Sequence, residues 1–508
     1  MTGDEWRAAV AETHVSVVVF IGDYAYKLKK PVSMGFLDFS TGEAREKACR
    51  REVELNRRLA PDVYLGVAEV KGPDGRPCDH LVVMRRMPAS RRLAALVRAR
   101  ADVSDGVRQV ARLVASFHER ARTSPEIAAA ASVDAVRQNW EDNFEQMASF
   151  AGSVLDHEMV VTAERLARRY LRGRRSVFDH RIASGMVRDG HGDLLAEDIF
   201  LLDDGPRVLD CIEFNDRLRY GDVLADVAFL AMDLERLGEP ALAARFLDWY
   251  REFSGRPHPS TLVEHYVAYR AHVRAKVACL RHAQGDPNAA SEAAMLLRLA
   301  VRHLQRGRIR MVLVGGLPGT GKTTLAAALA DATGWSLLRS DEVRRDLGRN
   351  TGPAPYHDGA YSDESVAVTY REMLARARRA LELGEPVILD ASWRHQAWRE
   401  LARRVADETA SDLLEVRCVA PEEVAAARLA SRRSRGVDLS DATAGTTAAM
   451  AADFHDWPEA VVVDTSGDAE ASLVVTMAAV CEPRVGGAIQ PSEPGTAGPT
   501  GFGRPPLC

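Results

Sequence analysis

The feature that most constrains this chain is the run Gly316-Leu317-Pro318-Gly319-Thr320-Gly321-Lys322-Thr323. An apolar stretch, IRMVLVGG (309–316), leads into it, and an alanine-rich segment follows from Thr324. The run fits GxxxxGK[ST], and its setting between a buried strand and a helix is the one that pattern requires. Glycines let consecutive backbone N–H groups curl around phosphates, and the N-terminus of the next helix adds a favourable dipole. Residues 316–324 are therefore expected to form a nucleotide-binding P-loop. Lys322 would reach the β- and γ-phosphates, and the Thr323 hydroxyl would ligate Mg²⁺.

Around this loop the chain alternates short apolar runs with helical patterns. Strand-like runs at 336–340, 386–390, 413–419 and 460–464 are separated by helices, which predicts an α/β domain with a parallel sheet. The pattern before residue 300 is different. Residues 13–30 alternate and predict a hairpin turning at Gly22-Asp23, residues 43–60 have helical spacing up to Pro61, and LVVMRRM (81–87) reads as a strand. Helical patterns fill much of 91–175, residues 198–214 read as strand, turn and strand, and 222–304 is largely helical. We place domains at 1–304 and 308–480, with a Gly/Pro-rich tail at 484–508 expected to be disordered.

Composition excludes several classes. A net charge of -5 gives no global attraction to nucleic acid or anionic membrane. Seven scattered cysteines without CxxC spacing argue against a disulfide framework or a zinc site and suit a reducing cytoplasm. No run of about 18 apolar residues predicts a membrane span.

Further candidates cluster at strand ends in the C-terminal half. The second strand ends in Ser340-Asp341, with Arg344 three residues on; the third ends in Val387-Ile388-Leu389-Asp390; an arginine-dense segment runs from Arg428 through Arg432 to Arg435. This arrangement resembles the small P-loop kinases, among them gluconate kinase, chloramphenicol phosphotransferase and the polynucleotide 5′-kinase domain. The resemblance implies that Asp341 is the base, with a helix N-cap as its structural alternative. It further implies that Arg344 holds substrate or phosphate, Asp390 organises Mg²⁺ or its water, and Arg432 (or Arg428 or Arg435) is a lid arginine.

The N-terminal half contains His191-Gly192-Asp193, followed by Asp198. This segment resembles the HGDxxxxN catalytic loop of the aminoglycoside phosphotransferases, relatives of the protein kinases. The resemblance implies an α+β, bilobal, protein-kinase-like fold with Asp193 as base and His191 bracing the loop. Asp198 stands where the family has a metal-binding Asn; a carboxylate is still a hard oxygen ligand for Mg²⁺. For the next metal ligand, threading the hairpin favours Glu213, with Asp210 as the alternative. Lys27 has the spacing of the strand lysine that contacts phosphates, with Lys29 or Lys30 as alternatives, and Glu52 matches its salt-bridging glutamate. Phe117-His118 and the Gly221-Asp222/Asp226 pattern fit structural motifs of that family. Arg270, Arg274 and Arg281 share one helix face that could receive a phosphorylated or acidic substrate, or serve as a solvated stripe.

Taken together, the chain resembles the bifunctional aminoglycoside phosphotransferase/ATP-binding protein family, in which a kinase-like domain is fused to a small P-loop kinase. That implies ATP- and Mg²⁺-dependent transfer to a hydroxyl of a small molecule (a sugar, an aminoglycoside-like compound or a nucleoside) at two nucleotide sites in the cytoplasm. The alternatives are a single P-loop kinase centre beside a non-catalytic kinase-like binding module, or a polynucleotide 5′-kinase-like activity. Acidic net charge and the lack of aromatic-basic clusters count against a nucleic-acid partner.

Overall fold

The computed structural model describes residues 9–12, 15–34, 37–348, 362–435 and 444–481. The tail at 484–508 lies outside the described residues. The described chain divides into two compact units. The first runs to Arg165 and includes Phe178–His258 and Leu262–Leu304; the second takes Leu166–Val177, Pro259–Thr261 and the residues from Gln305.

The first unit is α+β. Its sheet has five antiparallel strands in the order Ala9–Glu12, Ser16–Ile21, Tyr24–Lys29, Pro77–Arg85, Tyr64–Lys71. The predicted hairpin turns at Gly22-Asp23, where Gly22 takes φ 55°. Strand period two puts Ala25, Lys27 and Lys29 on one face, and Ala25 packs there with Cys49, Val53, Tyr64, Val82 and Met84. Helix Gly42–Asn56 covers that face; Thr41 caps it by accepting from Ala44 N at 3.1 Å. The helix carries Glu52 fully into the interior. A buried carboxylate needs cationic partners, and the two strand lysines are placed to be them.

The rest of this unit is helical, with helices Ser104–Arg120, Val133–Met147, Val223–Arg236, Pro240–Ser254, Ser260–Ala283 and Ala289–Arg306. Between them sits the hairpin Ile199–Leu202/Gly205–Val208. Its second strand stops at Val208, short of the expected 214, and Asp210 adopts φ 65°. That break alters the geometry of the carboxylates that follow.

The second unit is α/β. Five parallel strands lie in the order Ser336–Arg339, Val387–Asp390, Arg310–Gly315, Asp412–Val419, Val461–Asp464. The central strand has helices on both faces, so its residues are buried throughout, as in parallel sheets generally. Among the described residues, no helix is long and apolar enough to cross a membrane.

Candidate active sites

In the second unit the strand Arg310–Gly315 feeds the loop, and helix Lys322–Thr333 begins at Lys322. Two glycines here are needed for packing as well as for conformation. Gly316 has φ 144°, and a Cβ on it would stand 2.6 Å from Cys418 O; Gly319, at φ 83°, would meet Ala425 O at 2.6 Å. The loop is thus clamped between neighbouring segments. Thr320 Oγ1 donates to Leu317 O at 2.8 Å, and the Thr465 hydroxyl donates to Thr320 O. Leu317 and Pro318 complete the loop, and Thr324 is exposed in the first helical turn.

Asp390 ends the neighbouring strand, with Lys322 and Thr323 at hand. Burial pushes its carboxyl above the usual range, while the Lys322 charge and a hydrogen bond with Thr323 pull the other way. Asp390 Oδ1 is buried with no hydrogen-bond partner among the described residues. An unpartnered carboxylate oxygen beside a threonine hydroxyl and a phosphate-binding lysine suits Mg²⁺ or its water. Asp341 sits in the first turn of helix Ser340–Asp346 and pairs with Arg344 at 2.9 Å. It does not cap the helix; Arg339 holds that position without a side-chain bond. Arg339 Nε also lies 3.5 Å from Asp390 Oδ2, a contact that motif reading missed.

Arg432 falls on helix Glu422–Arg435, but its side chain lies outside the described residues, as does that of Arg435. Arg428 is described: its Nη2 donates to Thr465 O at 2.6 Å, and its Nη1 is 3.4 Å from where a Cβ on Gly321 would stand. Of the three lid candidates, it is the one seen beside the P-loop. A further cluster joins His395, Asp453 and His455, whose ligand atoms lie within 4.8 Å of one another. Arg394 supplies positive charge there, 2.9 Å from His395 Nε2 and 3.4 Å from Asp453.

In the first unit the site is built from side chains far apart in sequence. Lys27 Nζ lies 2.9 Å from Glu52 Oε1 and 2.5 Å from Asp210 Oδ1. Lys29 Nζ lies 2.6 Å from Glu52 Oε2 and also pairs with Glu213. Glu52 thus bridges both lysines. Burial opposes its charge, yet Lys27 and Lys29 hold its carboxyl below the ordinary value. Burial likewise pulls Lys27 down, but Asp210, Glu52 and Glu213 together hold it well above its usual range. Lys29 is enclosed, with Phe39 5.2 Å from its ammonium, whereas the Lys27 side chain keeps 14% exposure. Lys30 instead pairs at the surface with Glu12.

The segment from His191 to Asp198 is held by a set of hydrogen bonds. His191 Nε2 lies 3.0 Å from Leu209 O, which can only accept, so Nε2 carries the proton; Nδ1 accepts from Asp193 N at 3.4 Å. Asp226 accepts from His191 N at 2.5 Å and Gly192 N at 2.7 Å, and His118 Nε2 lies 3.2 Å away. Asp233 Oδ2 accepts from Ala196 N at 2.9 Å. Asp193 and Asp198 both lie in the electrostatic field of Asp210. Burial moves the Asp193 carboxyl up to about 6, with Arg274 opposing and Asp210 adding to the rise. Burial, then Asp210 and Asp193, pushes Asp198 well above the carboxylate range. Like charge among these acids disfavours ionisation of Asp193 and Asp198.

Of the two carboxylates considered for the position after Asp198, Asp210 pairs with Lys27 and Glu213 with Lys29. The second strand of the hairpin was expected to reach residue 214. It ends at Val208, and the left-handed Asp210 turns its carboxylate to Lys27 and to the field of Asp198 and Asp193, while Glu213 is taken up by Lys29. Asp210 N also donates to Tyr64 OH at 3.2 Å, tying this segment to the sheet.

A protein-family profile described as an AAA domain matches residues 311–456. The chain is 44% identical over 474 residues to the uncharacterized protein Rv2004c of Mycobacterium tuberculosis (strain ATCC 25618 / H37Rv), covering 92% of this chain and 95% of that one. Among solved structures it is similar to the GDP complex of wild-type aminoglycoside 2'-phosphotransferase-IIIa, with 16% identity, 59% of this chain and 94% of that chain covered, and a TM-score of 0.36. It is also similar to an unliganded sugar kinase from Janibacter sp. HTCC2649, with 19% identity, 34% and 93% covered, and a TM-score of 0.27. With 44% identity across nearly the whole of both chains, the protein belongs to one family with Rv2004c.

Proposed function

We propose that this chain transfers the γ-phosphoryl group of ATP to hydroxyl groups of small molecules, with one phosphotransfer centre in each unit. The observation that carries this reading is the convergence of Lys27, Glu52 and Asp210, residues up to 183 positions apart, at the loop that bears Asp193. Surface lysines are not normally organised in this way, and a phosphate-gripping cation held by carboxylates beside a candidate base is what phosphoryl transfer needs. The P-loop of the second unit supplies the phosphate-binding cation and amides from one contiguous segment, with Asp341 and Asp390 at the ends of neighbouring elements.

In the first unit Lys27 would contact the nucleotide phosphates and Asp193 would take the acceptor's proton. Asp198 and Asp210 would hold Mg²⁺. In the second unit the backbone of 316–321 would wrap the phosphates, Lys322 would reach the transferred group, Asp341 would accept the acceptor proton, and Thr323 and Asp390 would hold Mg²⁺. Arg344 positions Asp341, and Arg428 lies where a cation would offset charge on the phosphates. Bound Mg²⁺ supplies neutralisation of phosphate charge in both centres.

The test is ATP consumption with Mg²⁺ against sugars, aminoglycosides, nucleosides and 5′-hydroxyl oligonucleotides, comparing the wild type with Asp193→Ala and Lys322→Ala. We expect each variant to abolish turnover of a different acceptor. Loss of all turnover with Lys322→Ala, and none with Asp193→Ala, would reduce the first unit to a binding module. Phosphorylation confined to oligonucleotides would instead favour a polynucleotide kinase.

A further inference from the structure

Beyond Asp390 the second unit carries a cluster that the phosphotransfer chemistry does not use. The chain leaves strand Val387–Asp390 through Ser392, Trp393 and Arg394 and reaches His395, the N-cap of helix Gln396–Glu408. Ser392 O accepts from Gly316 N at 3.2 Å, so this connection is joined to the P-loop. A second segment, from Asp453 to Trp457, follows helix Ala444–Ala452 and leads to the edge strand Val461–Asp464.

The two segments are held in register. His455 N donates to Arg394 O at 3.0 Å. Arg399, fully buried, reaches both backbones: Nη1 donates to Trp393 O at 3.1 Å and His455 O at 3.3 Å, and Nη2 donates to Asp456 O at 2.5 Å. Its guanidinium also lies 5.1 Å from the centre of the Trp457 ring. On this frame His395, Asp453 and His455 each bring a donor atom within 4.8 Å of the others.

The hydrogen bonds fix the state of those donors. His395 Nε2 accepts from Arg394 Nε at 2.9 Å, and His455 Nδ1 accepts from Gln396 N at 3.4 Å. Guanidinium and amide N–H groups only donate, so both rings hold a lone pair, the form that ligates metals. His395 Nε2 and Asp453 Oδ2 stand 3.4 Å apart. Two acceptors this close need positive charge beside them, and Arg394 Nε supplies it, 3.4 Å from Asp453 Oδ2. The cluster is thus a place that stabilises a cation. A compact divalent ion can engage all three donors at once, whereas the planar guanidinium serves them unequally.

We propose that His395, Asp453 and His455 form a site for a transition-series cation of the zinc class, separate from the Mg²⁺ sites proposed above and independent of the phosphotransfer reading. Two imidazoles and a carboxylate suit Zn²⁺, Co²⁺ or Ni²⁺, while Mg²⁺ favours oxygen ligands. Three protein ligands leave the fourth tetrahedral position to water. Cysteine spacing, which argued against a zinc site, has no bearing on a set without thiolates. Arg394 yields its contact with His395 Nε2 to the ion. The ion then fastens the connection that touches the P-loop to the segment behind helix Ala444–Ala452, and its occupancy stabilises this unit.

The test uses the untagged full-length chain, stripped with a chelator and kept in excess Mg²⁺. It is titrated with Zn²⁺ by calorimetry and with Co²⁺ by visible absorbance, which reports tetrahedral ligation. We expect one ion per chain bound at this site, no displacement by Mg²⁺, and a melting temperature raised by Zn²⁺. His455→Ala, a change at an exposed ring, should weaken binding tenfold or more and remove the Co²⁺ spectrum. Asp453→Asn should weaken it, and His395→Ala/His455→Ala should abolish it along with the Zn²⁺-dependent rise in melting temperature. Binding of a non-hydrolysable ATP analogue to His455→Ala checks that the P-loop unit remains folded. Failure of both ions to bind the wild type, displacement by Mg²⁺, or a spectrum and affinity unchanged in His455→Ala overturns the site.

Discussion

The two candidate centres prepare for the same chemistry by opposite means. In the second unit the groups proposed to bind phosphate are backbone amides of one loop, held by glycines that tolerate no Cβ and by a single side-chain clamp from Thr465. In the first unit the lysine proposed to bind phosphate, Lys27, is held by the charges of Glu52 and Asp210 from separated segments, with Asp198 in their field. A backbone site is fixed by sequence spacing and conformation. A charge network is fixed by tertiary structure, and each member depends on the others for its ionisation. The first kind should fail through steric damage, the second through loss of a partner.

The comparison breaks most sharply at the chemical groups. Lys322→Ala and Asp193→Asn should each lower the rate at their own centre by roughly 10³-fold or more, with little effect on the other centre's acceptor, measured by steady-state kinetics. Next comes the choice of carboxylate. Asp210→Asn should lower Mg²⁺-dependent transfer in the first unit by about 10²-fold, whereas Glu213→Gln should mainly lower its melting temperature, because it removes a partner of the enclosed Lys29. Equal kinetic losses for the two would restore Glu213 as a metal ligand. Gly316→Ala tests the steric side: with Cys418 O at 2.6 Å from the added carbon, nucleotide affinity at the P-loop should fall by about 2 kcal/mol, read by titration calorimetry.

The smallest effect is in pH. Asp193 is held up to about 6 by burial, so a base role requires its deprotonated form. Transfer measured in Lys322→Ala should fall about tenfold per unit as pH drops below about 6. The same raised value means that the folded chain binds this proton more tightly than the unfolded chain. Ionised Asp193 therefore opposes folding at neutral pH, and Asp193→Asn should stabilise this unit by about 1–2 kcal/mol in denaturant melts. An acid limb unchanged in position by Arg274→Gln would argue against the electrostatic setting described for Asp193.

The same contrast explains what could be read without coordinates. The P-loop, the order of strand and helix around it, and the positions of Asp341 and Asp390 were legible because each belongs to a short local pattern. The Gly22-Asp23 hairpin was legible for the same reason, whereas the pairing of Lys27 with Glu52 was legible only through the family resemblance. The end of the strand at Val208 was not legible, because a left-handed Asp210 is a conformational event without a sequence signature. The roles of Asp233 and Tyr64, and the bridging of Lys27 and Lys29 by Glu52, depend on long-range packing that no motif encodes. Arg339 beside Asp390 could have been found only as a basic residue next to a strand end, a weak signal in a chain with 67 lysines and arginines.

The most direct test of two centres is the stoichiometry of Mg²⁺-nucleotide binding to the full-length chain, using a non-hydrolysable ATP analogue in titration calorimetry. This account predicts two sites per chain in the wild type, one in Lys322→Ala, one in Lys27→Ala, and none in the double variant. A single wild-type site that vanishes with Lys322→Ala and is untouched by Lys27→Ala would contradict it.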